Sequence, residues 1–491
     1  MMHQRLNASH IDELPAQVAR PAYARDNIGV GILHLGAGAF FKAHQAVYTD
    51  TALGLASGDW GICAASLNSE TVKEALVPQD CLYTLKLLGE PESYRVIGSI
   101  AQVLAGPDDR AKIIEKISDP QIKIMTLTIT EKGYCLEPSG ALDFAHPDIA
   151  EDLKQAGPPR SAIGVLVAGL KMRFGTETSP ITVISCDNIS GNGTKLRGAV
   201  IAFAQRLDAE FAERISKHVI FPNTMVDSIT PAGDAPLLES VTRAIGFEDQ
   251  AAVHREKFSD WVIEDFDGPR PAWGEAGAVF ASDVTPYETA KLRLVNAPHS
   301  ALAYLGLLAG YTTVAQVMAD EELTRYFYGL TQDELIPSLG DSPIADLAAY
   351  RDRIGQRFAN PLIHHELRQI AADGSAKLPQ RLLPPLAVNH RADRPIGFIA
   401  LGIAAWMRFV LAGARKGVKL NDPLASIFSE VSSASLGQAE DDVDGLLAIE
   451  DIFPIWIKQS KDVRGAIVAA YGDLSLNGVQ SALSAAEKVA A

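Results

Sequence analysis

The chain reads as an α/β protein in two parts, a doubly wound parallel-sheet domain followed by a mainly α-helical one. Three observations lead there. A short apolar run, residues 28–35, ends in Gly36-Ala37-Gly38 and passes into residues 40–55, which can continue as a helix. Further apolar, β-branched runs recur as far as residue 284. From Pro286 the texture changes to helices with short polar breaks, so the domain boundary is expected near residue 285.

At 491 residues the chain is too long for one ordinary core. Its composition, 47% hydrophobic and 21% charged, is that of an ordinary soluble globular protein. A net charge of −16 argues against a nucleic-acid partner, which needs clustered Lys and Arg. An anionic small substrate needs only local positive charge and stays open. Cys63, Cys81, Cys135 and Cys186 are widely spaced, so a reduced chain without a structural zinc is expected. Residues 1–7 lack the apolar segment of a signal peptide, and no run reaches the roughly 18 apolar residues of a membrane span. A cytoplasmic protein with no membrane partner is the expectation.

Residues 1–27 form a polar lead-in arm containing Pro15 and Pro21. The strand at 28–35, its glycine turn and the following helix resemble the opening of a dinucleotide-binding unit. Gly36 and Gly38 would let the backbone approach a pyrophosphate at the positive end of the helix. Phe41 stands where a third glycine is usual. The second strand falls at residues 59–67, and Asn68 or Glu70 must serve as the ribose-binding group at its end. No arginine pair follows that strand to receive a 2′-phosphate, and Lys73 is the one cation nearby, which points to NAD.

Residues 122–130 alternate as a strand and end in the polar turn Glu131-Lys132-Gly133-Tyr134. Open α/β sheets bind ligands at such carboxyl ends. Glu131 is therefore a candidate proton-relay or substrate group, or else a solvated turn residue. The next strand is 180–186, followed by Asp187 and Asn188; residues 261–265 and 279–284 look like the last strands, with a loop at 267–271. In the second part, helices are expected at 286–310, 345–358, 360–372, 396–416 and 462–488.

The stretch from Thr285 carries the chemistry. Thr285 can cap a helix and Pro286 suits its first turn. Lys291, His299 and Asn296 then fall at about 0°, 80° and 140° around the axis. Pro298 predicts a kink just before His299. A buried lysine can act as a base near neutral pH, and an amide and an imidazole can steady a developing alkoxide. The bland alternative is a surface lysine, a helix-breaking Asn-Ala-Pro and a core histidine.

The motif K-L-R-L-V-N-A-P-H-S at 291–300 closely resembles the K-x-R-x-x-N-x-x-H signature of the polyol-specific long-chain dehydrogenase/reductase family, also called the mannitol dehydrogenase family. The resemblance extends over roughly residues 25–480. Residues 36–44, G-A-G-A-F-F-K-A-H, are similar to the family's G-x-G-x-F-H-R-A-H, with Phe41 for histidine and Lys42 for arginine. The lysine keeps positive charge but loses the bidentate fork. The T-E-K-G-Y, S-C-D-N-I-S-G-N-G and F-P-N-T-M-V-D-S-I-T-P stretches continue it, with Ser228 in place of the usual arginine.

The resemblance implies a Rossmann-type NAD-binding domain over 1–285 and a substrate-binding, catalytic domain over 286–491, with no metal. Lys291 would be the general acid/base, Asn188 and Asn296 would stabilise the alkoxide, and His299 would orient it. Phe40, Lys42, Val226 and Asp227 would join Gly36, Gly38, Asn68 and Glu70 around the cofactor. Asp227 would also reach the substrate. Residues 373–382 form an expected loop, preceded at helical spacing by His364, His365 and Arg368. With Lys377 and Arg381 these are the largest group of potential cations, suited to a substrate carboxylate or else a surface scatter of charge. D-G-S-A-K-L-P-Q-R, with Gln380 where mannitol-oxidising members tend to have lysine, looks like the fructuronate reductase (mannonate oxidoreductase) branch. Interconversion of D-mannonate and D-fructuronate with NAD is implied. Mannitol 2-dehydrogenase or tagaturonate reductase chemistry is the alternative, and a monomer is the family analogy.

Overall fold

The computed structural model describes residues 4–175 and 180–490, which fall into two compact units, Met1–Thr285 and Pro286–Ala491. Residues 1–3 of the expected lead-in arm lie outside the described residues.

The first unit is built on six strands: β1 (Val30–Leu35), β2 (Gly61–Ser66), β3 (Ile100–Ala105), β4 (Ile124–Leu127), β5 (Ile181–Ser185) and β6 (Val219–Ile220). Their order is β3-β2-β1-β4-β5-β6, and all neighbours are parallel. This is the doubly wound order, which reverses between β1 and β4 and leaves a crevice at the strands' carboxyl ends. Strands covered on both faces need apolar residues at every position, which is why 28–35 reads as one run rather than an alternation. His34 is the exception within β1. Its Nδ1 lies 2.8 Å from Thr126 Oγ1 and its Nε2 lies 3.1 Å from Thr128 Oγ1. The ring also stacks on Phe41 at 3.5 Å, and burial pushes its pKa down to about 3. It is a neutral core histidine.

Two small sheets accompany the main one, Val253–Glu256 with Tyr83–Leu88 and Ser93–Ile97, and Val279–Ala281 with Asp260–Glu264 and Thr224–Asp227. The helix expected over 40–55 divides at His44 into Ala39–Ala43 and Gln45–Leu55. The Tyr83 hydroxyl donates to the carbonyl of Lys42 at 2.7 Å, which takes up an acceptor at the break. The arm is less polar in effect than in composition. Leu6, Leu14 and Val18 are buried against Leu82, Val96, Leu237 and Val241. All four cysteines are buried free thiols.

In the second unit the expected helix over 360–372 shrinks to Leu367–Ala371, because Glu366 pairs with Thr313 in an isolated bridge. The expected loop at 373–382 is instead the helix Gly374–Arg381, with Pro379 inside it. Its first turn is held by Asp422, whose carboxylate accepts from Ser375 N at 2.9 Å and Ser375 Oγ at 2.6 Å. The helix expected over 462–488 divides into Lys461–Leu476 and Gly478–Ala490, since Gly478 adopts φ +83°. Gly397–Arg415 is the one helix among the described residues long and apolar enough, by length and composition, to cross a membrane, although Arg408 interrupts its apolar run. Its residues 397–407, Val410 and Leu411 are buried, and Phe398, Leu401 and Trp406 sit in the apolar core of this unit.

Candidate functional site

The central segment opens differently from its sequence reading. Thr285 N donates to the Asp283 carboxylate at 2.8 Å, so Asp283 rather than Thr285 caps the helix Thr285–Lys291. The next five residues, Leu292–Asn296, form a π-helical turn before the α-helix Ala297–Ala309 resumes. The Ala297 N–H reaches back five residues to the carbonyl of Leu292. The expected point kink before His299 is therefore a widened turn ahead of Pro298, which itself sits in the first turn of the resumed helix. An i→i+5 turn brings residues five apart nearer one azimuth than the α-helix would. Asn296 is thereby turned toward the side that carries Lys291. Both are buried, each 8% exposed. Arg293 holds the turn, donating to Ser338 Oγ at 2.7 Å and to the Ser338 carbonyl.

His299 stacks on Phe358 at 4.7 Å and meets His365 edge to face at 4.8 Å. His299 Nε2 and His365 Nδ1 are buried and have no hydrogen-bond partner among the described residues. Burial drives the His299 pKa well below the ordinary imidazole range, and His365, Arg381, Arg357 and Lys377 push it the same way. Burial, and then Lys377, also lowers His365. Arg381 donates to Ser300 Oγ at 2.8 Å and to the Asn296 carbonyl at 3.4 Å. Lys377 donates to the carbonyls of Ala372 at 2.6 Å and Ile370 at 3.1 Å.

His365, Lys377 and Arg381 are thus gathered around His299. Arg368 is exposed and lines a different cavity, and His364 is exposed. Neither lies on a helix with the other, because the segment before Leu367 is irregular. Buried Arg357, on Leu347–Phe358, joins the group unannounced. It stands among Arg351 and Arg353 with no motif to single it out.

In the first unit a cavity of about 720 Å³ lies over the glycine turn, lined by Gly36, Gly38, Lys42, Asn68 and Lys132 among others. Gly36 has φ +99°, and a Cβ there would lie 2.1 Å from the Thr128 carbonyl oxygen, so only glycine fits. At Gly38 the nearest atom to such a Cβ is 3.8 Å away, which leaves the turn open for a ligand. Lys42 donates to the Ala251 carbonyl at 2.7 Å, and burial pushes its pKa down to about 8. Asn68 accepts from Arg110 at 2.7 Å, and Arg110 also donates to the Leu67 carbonyl at 3.1 Å. An arginine therefore does stand at the end of β2, supplied by the helix Arg110–Ser118. Lys73 is turned aside by Asp109 at 2.6 Å.

Phe40, Glu70, Val226 and Asp227 are not in that cavity's wall. Phe40 stacks on His44 at 4.9 Å, and Glu70 is exposed at the start of Thr71–Leu76. Val226 and Asp227 are buried on the strand Thr224–Asp227. Glu131 is exposed on the single turn Thr130–Gly133. Asn188 is exposed and follows Asp187, whose buried carboxylate accepts from Ile129 N, Thr130 N and Tyr134 Oη at 2.7–2.9 Å. Asp187 pins the turn after β4 to the end of β5, a role the motif did not disclose.

Comparison with known proteins supplies the family. Residues 30–275 match the model of the mannitol dehydrogenase Rossmann domain, and residues 283–475 that of the mannitol dehydrogenase C-terminal domain. D-mannonate oxidoreductase of Escherichia coli (strain K12) is 39% identical over 477 residues, covering 95% of this chain and 98% of that protein. Mannitol 2-dehydrogenase of Phaeosphaeria nodorum is 38% identical over 432 residues, 86% of this chain and 76% of that one. A solved structure of Pseudomonas fluorescens mannitol 2-dehydrogenase, a ternary complex with NAD and D-mannitol, matches with a TM-score of 0.87. It is 36% identical and covers 99% of this chain and 100% of that chain.

Proposed function

The chain belongs to the mannitol dehydrogenase family of oxidoreductases, and we propose that it is an NAD-dependent enzyme interconverting D-mannonate and D-fructuronate. The observation that carries the substrate is the cationic surround of His299 and His365, made by Arg357, Lys377 and Arg381. Concentrated positive charge in a chain of net charge −16 rewards a sugar carboxylate. A neutral polyol would gain hydrogen bonds from it but no ion pair.

The open glycine turn, with Gly36, Gly38, Lys42 and Asn68 in one cavity, fits the pyrophosphate and adenosine side of NAD. Phe40, Glu70, Val226 and Asp227 are assigned to its remaining contacts. Bound NAD supplies the hydride acceptor for alcohol oxidation. Lys291 takes the hydroxyl proton as the alkoxide forms, and returns it to the oxygen in the reducing direction. Asn296 and Asn188 donate amide N–H groups to that oxygen. His299, kept neutral by burial, offers its unpartnered Nε2 to the same atom. Glu131 serves the substrate side or the passage of the proton to water.

Parallel assays test the assignment, with fructuronate, tagaturonate and fructose against NADH, and mannonate and mannitol against NAD. Fructuronate should give the highest kcat/KM among the ketones. One feature favours a second reading, mannitol 2-dehydrogenase: Lys377 and Arg381 already donate to carbonyls and to Ser300. A higher kcat/KM for fructose would decide for it.

A further inference from the structure

The second unit contains a cavity of about 370 Å³ that shares no wall residue with the machinery assigned above. That volume lies within the range of small-molecule pockets. Leu307, Phe409, Val410 and Leu420 make it apolar, and Arg368, Lys416 and Lys419 stand around it. All three cations are exposed, and none has a hydrogen bond or ion pair from its charged group among the described residues. The wall also holds one carboxylate, Asp422, so three cations and one anion leave it a net charge of +2. Asp422 accepts from Ser375 N, Ser375 Oγ and Leu424 N at 2.6–3.0 Å. Three unpaired like charges around one apolar pocket, in an acidic chain, are complementary to an anion with an apolar body.

We propose that this cavity binds a small amphipathic carboxylate, with its chain on Leu307, Phe409 and Leu420 and its carboxylate among Arg368, Lys416 and Lys419. The pocket is also wired to the helix Gly374–Arg381. Its wall residues Asn421 and Asp422 hold that helix's start, through Asp373 N to Asn421 O at 2.8 Å and the two Ser375 bonds. Its wall residue Ala372 accepts from Lys377 Nζ at 2.6 Å. Filling the cavity therefore tightens the helix that carries Lys377 and Arg381. The consequence for turnover rests on the substrate reading given above; the binding does not.

The test uses the full chain, with octanoate as the probe and 1-octanol as its uncharged counterpart. Titration calorimetry should show saturable octanoate binding at one site, with octanol at least about tenfold weaker, as expected for loss of a charge-assisted contact. The double variant K416Q/K419Q should weaken octanoate by a similar factor while leaving thermal stability and basal activity unchanged. Hydrogen exchange at the Asp373 and Ser375 amides should slow when octanoate binds. Absence of saturation at millimolar octanoate, equal binding of octanol, or undiminished binding by the double variant overturns the site. Saturable binding without slowed exchange at 373 and 375 overturns the coupling, whichever ketone proves to be the substrate.

Discussion

His299 and His365 meet edge to face, with ring centroids 4.8 Å apart and planes at 66°, and each keeps a buried nitrogen without a partner among the described residues. Two imidazolium ions at that separation would repel, and burial lowers the pKa of both. The pair is a neutral, unsatisfied donor–acceptor surface with guanidinium and ammonium groups nearby. Orphaned polar atoms in a buried setting cost stability unless a ligand meets them. A bound hydroxyl or carboxylate that met both nitrogens would remove that cost.

The two glycines of the turn should separate fold from binding. Gly36→Ala must accommodate a positive φ and a Cβ 2.1 Å from the Thr128 carbonyl, so it should lower Tm by several degrees and abolish cofactor binding. Gly38→Ala meets nothing closer than 3.8 Å. It should keep the wild-type Tm while raising the Kd for NADH. Calorimetric melting and fluorescence titration together read both; an unchanged Kd for NADH in a folded Gly38→Ala protein would show that the cofactor does not approach the turn there.

NADH should bind more tightly than NADPH, because Arg110 is engaged by Asn68 and Leu67 rather than free. Arg110 is nevertheless the cation within reach of a 2′-phosphate. Arg110→Ala should therefore weaken NADPH more than NADH and widen the ratio of the two Kd values. A wild-type preference for NADPH would mean that Arg110 gives up Asn68 to the phosphate.

Lys291→Ala should lose about 10² to 10⁴ in kcat, the usual size of general acid–base catalysis. NADH titration should be unchanged, which distinguishes lost chemistry from lost folding. Near-normal turnover in a folded variant would return Lys291 to a structural role.

How much of this was visible in the chain depends on how far each feature reaches. The glycine turn was legible because a buried strand, a positive φ and a helix start all leave local marks. The lysine–asparagine–histidine spacing was legible too, but its geometry was not. The π turn is stabilised by Arg293 on Ser338, 45 residues away. Likewise the helix at 374–381 has no local mark of its start, because its first turn is satisfied by Asp422, 47 residues on. Arg110 leaves no local mark for the same reason: its partner Asn68 lies 42 residues earlier. Arg357 carried no local signal at all. Packing brings it to His299, and periodicity does not report packing.

A pH prediction follows from Glu334, which is buried and accepts from Phe398 N at 2.8 Å and Ile399 N at 2.7 Å at the start of Gly397–Arg415. Burial raises its pKa from 4.5 to about 7. The folded state thus holds a proton between those values that the unfolded state has released. Its contribution is complete below pH 4.5 and is lost as pH rises toward 7. Glu334→Gln does not titrate, so the stability advantage of wild type over this variant should shrink across that window, by about 3 kcal/mol at most. The depressed His34 and His299 act in the opposite sense but are common to both proteins, so they cancel. Denaturant unfolding at several pH values reads the difference; a constant gap would show that Glu334 is ionised throughout.

The substrate prediction centres on Arg381, whose guanidinium touches Ser300 and the Asn296 carbonyl beside His299. If a hexuronate carboxylate is bound there, Arg381 contributes a charge-assisted hydrogen bond worth roughly 1.5–3 kcal/mol, or about ten- to a hundredfold in affinity. Arg381→Gln should raise KM for fructuronate by that factor, and Arg381→Lys should recover part of it, since charge survives without the fork. Activity on fructose separates this from a general disturbance of Asn296. Fructose carries no carboxylate, so its KM should barely move in either variant, and kcat should stay within a few fold for both ketones. Equal losses on fructose and fructuronate would show that Arg381 merely positions the Asn296–Ser300 turn. The carboxylate would then have to be met by Lys377, Arg357 or His365, which the same pair of ketones can test one by one.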